Sequence, residues 1–400
     1  MSRHFRPIGA LTTVVVGSLL LALLGAPAAH ADDYPTWDEV QAARQNQAAT
    51  EATINDIEKI LVDLEAQSAE SGKVAQVAGE KYNEAVADLD AASARAEKLT
   101  AQADDAQRRA SLSSQRAGQL VAQFARTGGG SVSLGLLLAP EAGDLLNTLG
   151  TMSRVTEQST MIYRQALADQ NLARALGDQA KVAEAERKTM AATAKSALTE
   201  AKAAADAALA RVNEQQAAAD TMYAQLAVLK GTTASVEADY QAGLTAEQEQ
   251  QQAEPPPTPQ NPPNPPPPAP NNSAVQGAIA FAYAQIGDMY QFAGSGPDRW
   301  DCSGLTKGAY ASVGVYIGAH LVSSQYYTMG AQNRLVPLAN MVPGDLIFYA
   351  NGGSPSGGFY HVTMYVGNGQ MIEAPREGIP VRVTAVRYWD ILPYAGRPTP

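Results

Sequence analysis

Any covalent chemistry in this sequence must pass through very few side chains, because it has one cysteine, Cys302, and four histidines in 400 residues. Cys302 lies in Trp300-Asp301-Cys302-Ser303-Gly304, where the pattern predicts a helix over Cys302–Val313 opened by Asp298 and Asp301. Unsatisfied N–H groups give a helix start partial positive charge, which favours a thiolate and lowers a cysteine pKa. A lone cysteine there reads either as a nucleophile or as a buried structural thiol. His361 opens the strand-like run His361–Val366 after a Gly/Ser-containing loop, Asn351–Phe359. Glu373 closes the next such run, Gln370–Glu373, beyond the turn Gly367-Asn368-Gly369. Two strands joined by that turn can set His361 beside Glu373. A carboxylate in that position fixes the imidazole tautomer and supports its cation, which is the orienting role behind a nucleophile and a base. His320 is the competing base.

Three motifs follow one another in a specific order: Asp301-Cys302-Ser303-Gly304, Pro343-Gly344-Asp345-Leu346, and His361-Val362 leading to Tyr365-Val366-Gly367-Asn368-Gly369. Together they resemble the NlpC/P60 family of cysteine peptidases, which cut bacterial cell-wall peptides, over about Val275–Leu392. The resemblance implies a papain-like α+β fold, with Cys302 as nucleophile, His361 as general base and Glu373 at the third, polar position. It also implies that Tyr290 lies near the oxyanion site and that Asp301 and Ser303 line a pocket for the peptide stem. By the same resemblance the Cys302 backbone N–H would supply a further oxyanion donor.

The sequence departs from the family's usual Pro-Tyr and Gly-Gly at Met289-Tyr290 and Ala293-Gly294, and His320 follows Ala319 where a proline is usual. These departures bear on substrate fit, and His320 reads as a groove residue. The whole layout is similar to a narrower group, the exported actinobacterial peptidoglycan endopeptidases of the mycobacterial Rip type with an N-terminal coiled coil. That likeness implies cleavage between D-glutamate and meso-diaminopimelate and a part in cell separation or wall remodelling, while the hairpin with an apolar tip separately resembles the arm by which some division hydrolases dock on an FtsEX-type membrane complex. Two other classes stay open: a non-catalytic wall-binding scaffold, and an amidase or acyltransferase on the same fold. No cofactor is expected. A zinc site is disfavoured, since one cysteine and the two histidines beyond the leader cannot furnish a closed set without carboxylates.

The elements that must position these residues differ sharply along the chain. Arg3 and Arg6, the apolar run Leu11–Leu24 and Ala29-His30-Ala31 form a secretory signal pattern over residues 1–31. The expectation is therefore export across the cytoplasmic membrane to the periplasm or cell wall. Residues 32–248 read as an antiparallel coiled-coil hairpin with an apolar tip near 127–150. Small or apolar residues recur in steps of three and four from Ile54 through Leu61, Ala75, Ala92, Ala106 and Leu120 to Phe124, which is heptad patterning. The second helical arm is expected from about Met152 to Leu244.

Residues 249–272 form a proline-rich linker, because 11 of the 24 prolines fall within Glu254–Pro270, and such a run is an extended spacer. Residues 273–400 carry helices first, Ser273–Ile286 and Cys302–Val313. Strand-like runs at Leu346–Ala350, His361–Val366, Gln370–Glu373 and Val381–Val386 follow, which argues for an α+β domain with an antiparallel meander. The net charge of −11 argues against a nucleic-acid partner. Two roles stay open for the arm. It could cover the cleft until its tip meets a membrane partner, or it could only position an always-active domain.

Overall fold

The computed structural model describes residues 35–126, 142–251 and 272–399. The signal pattern at 1–31, residues 127–141 of the expected tip and the proline run at 252–271 lie outside these residues. A short helix, α1 (Trp37–Ala43), starts on a capping box in which Thr36 and Glu39 satisfy each other's backbone N–H groups. Two long helices follow, α2 (Gln47–Arg126) and α3 (Ala142–Lys230). They run antiparallel. Lys230 meets Glu58 at 2.8 Å, Arg95 meets Glu186 at 3.4 Å, and Ser113 Oγ donates to Asp169 at 2.5 Å, so partners advance in opposite directions.

The heptad seam is the buried face of α2. Ile57, Leu61, Leu64, Ala75, Ala85, Ala92, Ala96, Ala106 and Ala110 are all buried along it. Large apolar side chains gather at the root, where Ile57, Leu61 and Leu64 pack against Met222 and Leu226. Farther out the contact thins to alanines such as Ala106, Ala110 and Ala173. The second arm stops before the expected Leu244. Gly231 takes a left-handed turn at φ 70°, which glycine adopts without the Cβ penalty. A separate helix, α4 (Ala234–Gln251), then begins.

The C-terminal region is α+β. Helices α5 (Asn272–Ala284), α6 (Cys302–Ala311) and α7 (Val322–Ala331) precede a six-stranded sheet. Its strands are β1 (Leu335–Pro337), β2 (Leu346–Ala350), β3 (Phe359–Gly367), β4 (Gln370–Glu373), β5 (Arg382–Ala385) and β6 (Tyr394–Gly396), in the order β1-β6-β2-β3-β4-β5. Strands β2 to β5 are the anticipated antiparallel meander, whereas α7, β1 and β6 escape the sequence pattern. The two strands have three residues each, too few for alternation to register. Helix α7 starts after Leu321, which offers no side-chain cap.

Strand β2 is buried on both faces. Phe348, Val362 and Met364 pack against Leu305 and Tyr310 of α6 and Met329 of α7. Ile347, Tyr349, Tyr360 and Met371 form a second layer behind the sheet. Each such side chain contributes about 1.5–3 kcal/mol on burial, so α6 is fixed firmly against β3.

Candidate active site

Cys302 is the first residue of α6, and the helix begins there because Asp301 caps it. The Asp301 carboxylate accepts from Gly304 N–H at 2.7 Å and from Ser303 Oγ at 3.1 Å. Gly304 is required by space, since a Cβ there would stand 2.1 Å from the Gly294 carbonyl oxygen. That close approach seats the helix start against the loop bearing Tyr290. The backbone N–H groups of Val362 and Ser303 face the Cys302 sulfur, so the thiol lies beside the strand that carries His361.

The His361–Glu373 pairing expected from the turn is present. Residues 364 and 372 face each other across β3 and β4, and His361 Nε2 lies 2.8 Å from Glu373 Oε2. The carboxylate only accepts, so Nε2 carries the proton and Nδ1 keeps its lone pair. Burial opposes the charge on Glu373, but Arg387, the His361 hydrogen bond and Arg382 overcome it and hold the carboxyl well below its usual range. The imidazole pKa is lowered, chiefly by burial, with Glu373 opposing and the two arginines adding to the shift.

His320 lies elsewhere in the network. Its Nε2 sits 2.8 and 2.7 Å from the two Asp301 oxygens. Asp301 and Ser303 are buried at 3% and 0% exposure, with the Asp301 carboxylate committed to the helix cap and His320. Tyr290 is buried, and its phenol is pushed well up by burial and then by Cys302 and Asp301.

The thiol departs from expectation. Burial, with Asp301 and Glu80 nearby, raises the Cys302 pKa well above its ordinary value, and the two facing N–H groups only partly offset this. The helix start is therefore outweighed here, and the sulfur is a neutral thiol.

Cys302 is packed within the domain's own core, and the arm adds the Glu80 carboxyl. Helix α2 crosses the cleft, and Gln76 Nε2 lies 3.0 Å from His361 Nδ1 while also donating to the Pro375 carbonyl. One turn on, Glu80 Oε2 accepts from Val322 N–H at 2.7 Å, at the uncapped start of α7. Burial and then Asp301 push the Glu80 carboxyl up to about 8. Tyr82 packs on Phe292 with ring centroids 5.3 Å apart, and Lys73 pairs with Asp390 at 2.5 Å. Two glycines let the helix come this close. A Cβ on Gly72 would lie 2.1 Å from Arg376 Cδ, and one on Gly79 would lie 3.3 Å from the Phe292 ring.

Sequence reasoning missed Gln76 and Glu80, which interrupt no heptad, and it missed Arg387. The available signal was the glycine pair seven residues apart, an unfavourable choice inside a helix by about 1 kcal/mol each relative to alanine.

Among the described residues there is no group of three or more His, Cys, Asp or Glu able to hold a metal ion, and no helix is long and apolar enough to cross a membrane.

Comparisons with known proteins bear on the same region. The NlpC/P60 family model matches residues 287–392. The peptidoglycan endopeptidase RipA of Mycobacterium tuberculosis is 44% identical over 104 residues, which is 26% of this chain and 20% of RipA. RipB of the same species is 39% identical over 137 residues, which is 31% of this chain and 53% of RipB. The probable endopeptidase p60 of Listeria monocytogenes is 38% identical over 101 residues, 25% of this chain and 19% of that protein. The chain thus spans between a fifth and about half the length of these relatives. A solved structure of RipB from M. tuberculosis aligns with 32% of this chain and 66% of its own, at 36% identity and a TM-score of 0.28. Placed behind a long helical arm, residues 287–392 are an NlpC/P60 domain, homologous to that of the mycobacterial endopeptidases RipA and RipB.

Proposed function

We propose that this chain is an exported cysteine endopeptidase of the cell wall that cuts peptidoglycan stem peptides, at the bond between D-glutamate and meso-diaminopimelate. The observation that carries the reading is the single cysteine at the start of α6, beside a strand whose His361 is oriented by Glu373 at 2.8 Å, inside a region homologous to named peptidoglycan endopeptidases. In this reading Nδ1 of His361 takes the thiol proton as the sulfur attacks the scissile carbonyl. The imidazolium then returns the proton to the leaving amine, and a water activated by the same nitrogen hydrolyses the thioester. The Cys302 N–H and the Tyr290 side supply the oxyanion site, and Asp301 and Ser303 shape the floor below the stem peptide.

The chain as described is the resting form. Cys302 is 4% exposed and His361 1% exposed, and the Gln76 amide occupies the lone pair that must receive the thiol proton. Substrate can reach the sulfur only after α2 moves. The signal pattern fits export, and the expected apolar tip fits a membrane partner of FtsEX type as the opener. The test is digestion of purified peptidoglycan by the full mature chain and by residues 273–400, with released fragments assigned by mass. We expect fragments ending in D-glutamate from the shorter chain, none from its Cys302→Ala variant, and slow release by the full chain. Undiminished release by Cys302→Ala would overturn the reading.

A further inference from the structure

Behind the base lies a cationic device that the reaction as described leaves unused. Glu373 is fully buried, and its two oxygens take four donors. Oε2 accepts from His361 Nε2 at 2.8 Å and from Arg387 Nη2 at 2.8 Å, while Oε1 accepts from Arg387 Nη1 at 3.0 Å and Arg382 Nε at 3.2 Å. Arg387 therefore grips the carboxylate with both arms of its fork, which fixes the carboxylate plane as well as its charge. The guanidinium is itself held, lying 5.4 Å from the centroid of the Tyr349 ring and 5.9 Å from that of Trp389. Its side chain is 15% exposed, against 40% for Arg382. Arg387 is the anchor and Arg382 an outer neighbour.

We propose that Arg387 is a positioning residue for the cysteine–histidine reaction: through Glu373 it fixes the imidazole plane and keeps His361 a neutral base with its proton on Nε2. The proposal rests on the reading of His361 as general base. The charged groups facing the imidazole are Glu373 from β4, Arg382 from β5 and Arg387 beyond it, with Gln76 on the arm side. One carboxylate against two guanidiniums leaves a net positive surround. A lone buried carboxylate would instead favour imidazolium. The imidazole is thereby tuned to start neutral, with Nδ1 free to take the thiol proton at attack. Without the Arg387 fork, Glu373 would be free to rotate and the imidazole would lose its fixed aim at the sulfur.

The experiment uses the full mature chain with isotope-labelled histidine, in which only His320 and His361 give signals. Arg387→Met is expected to raise the pH at which the His361 imidazole takes up a proton, because a facing cation is gone. Arg387→Lys keeps the charge and is expected to hold that titration near wild type. In turnover of peptidoglycan fragments, both variants are expected to lower kcat, on the order of 10-fold or more for methionine and less for lysine, with KM little changed, as for other groups that orient a catalytic side chain. An unchanged His361 titration and kcat in Arg387→Met overturns the proposal. So does a loss of melting temperature with kcat and titration intact, which marks a merely structural role. If Arg387→Met fails to fold, Arg387→Lys decides alone, and an unaltered kcat there overturns it. His361→Ala separates the two readings. Retained activity in His361→Ala breaks the base assignment itself, whereas a dead His361→Ala beside a normal Arg387→Met breaks only the role given to Arg387.

Discussion

The helical arm and the sheet domain bury their residues in different ways. Inside the domain, Tyr310, Phe348, Tyr349, Leu346 and Met364 are sealed almost completely, and removing any of them would leave a cavity costing several kcal/mol. Where the arm meets the domain, Val77 packs on the layer behind the sheet, but most named contacts are directed polar groups: Gln76 on His361, Glu80 on Val322, Lys73 on Asp390 and Glu65 on Arg376. Tyr82 on Phe292 adds one aromatic contact. The Lys73–Asp390 and Glu65–Arg376 ion pairs are partly exposed and contribute about 0–1 kcal/mol each, and interfaces within a chain that are polar permit relative motion. The domain is thus built to stay closed around its core. The arm is held to it by contacts that cost less to break.

That contrast breaks most visibly at the polar face of α2. Replacing Gln76 and Glu80 together by alanine frees the His361 lone pair and the Val322 amide without touching the domain core. Release of wall fragments by the full chain is then expected to rise by at least about tenfold, a loss of roughly 1.4 kcal/mol or more in docking, while the melting transition of the domain stays in place. An unchanged rate in the doubly substituted chain would show that the arm does not restrain the enzyme.

A gentler probe uses the glycines. Gly79→Val adds branched side-chain atoms where Phe292 already stands 3.3 Å from the position of a Cβ, yet within a helix valine costs less than glycine. The arm should gain helical stability and lose its seat, so the full chain speeds up several-fold while circular dichroism shows no loss of helix. Gly118→Val, at a position with nothing within 4 Å, serves as the control and should leave the rate alone.

The smallest effect is set by pH. Docked Glu80 holds its proton up to about 8, against 4.5 for a carboxyl in water. A pKa raised in the docked form means that the proton-linked part of docking is complete below about 4.5 and is lost as the pH rises through about 8. Protection of the Val322 amide against hydrogen exchange, corrected for the intrinsic rate, should therefore fall as the pH rises from about 4.5 to about 8 and level off above it. Glu80→Gln, which has no charge to acquire, should flatten that dependence. A wild-type profile as flat as that of the Gln variant would remove Glu80 from the latch.

The domain was legible from the sequence because its signals are local. The runs Leu346–Ala350 and Gln370–Glu373 coincide with β2 and β4, and the Gly367-Asn368-Gly369 turn is enough to bring Glu373 back to His361. The Asp301 cap announces α6 three residues before its first bonded N–H. The arm's seam was equally plain, since a heptad repeats its own message.

What the pattern hid is non-local. Gln76 and His361 are 285 positions apart, and nothing in the heptad distinguishes a glutamine that faces water from one that faces an imidazole. The thiol is raised for a non-local reason too: a helix start lowers a cysteine pKa, but here burial in the domain core, Asp301 and Glu80 from the arm outweigh it. Arg387 escaped notice because it acts on Glu373 from beyond the strand pair that the turn defines.

Gly72, Gln76, Gly79 and Glu80 share a single stripe of α2, and that makes the arm sensitive to twist. Each residue turns the helix by about 100°, and its 80 residues form a shaft of about 120 Å. An alanine seam offers few interlocking side chains to resist one helix rolling on the other. A slip of one residue between α2 and α3, imposed anywhere along that length, would rotate the stripe through about a quarter turn and carry Gln76 off the imidazole while the shaft itself stays in place. The message that opens the cleft would then be an angle, delivered by torsion from the far end of the molecule.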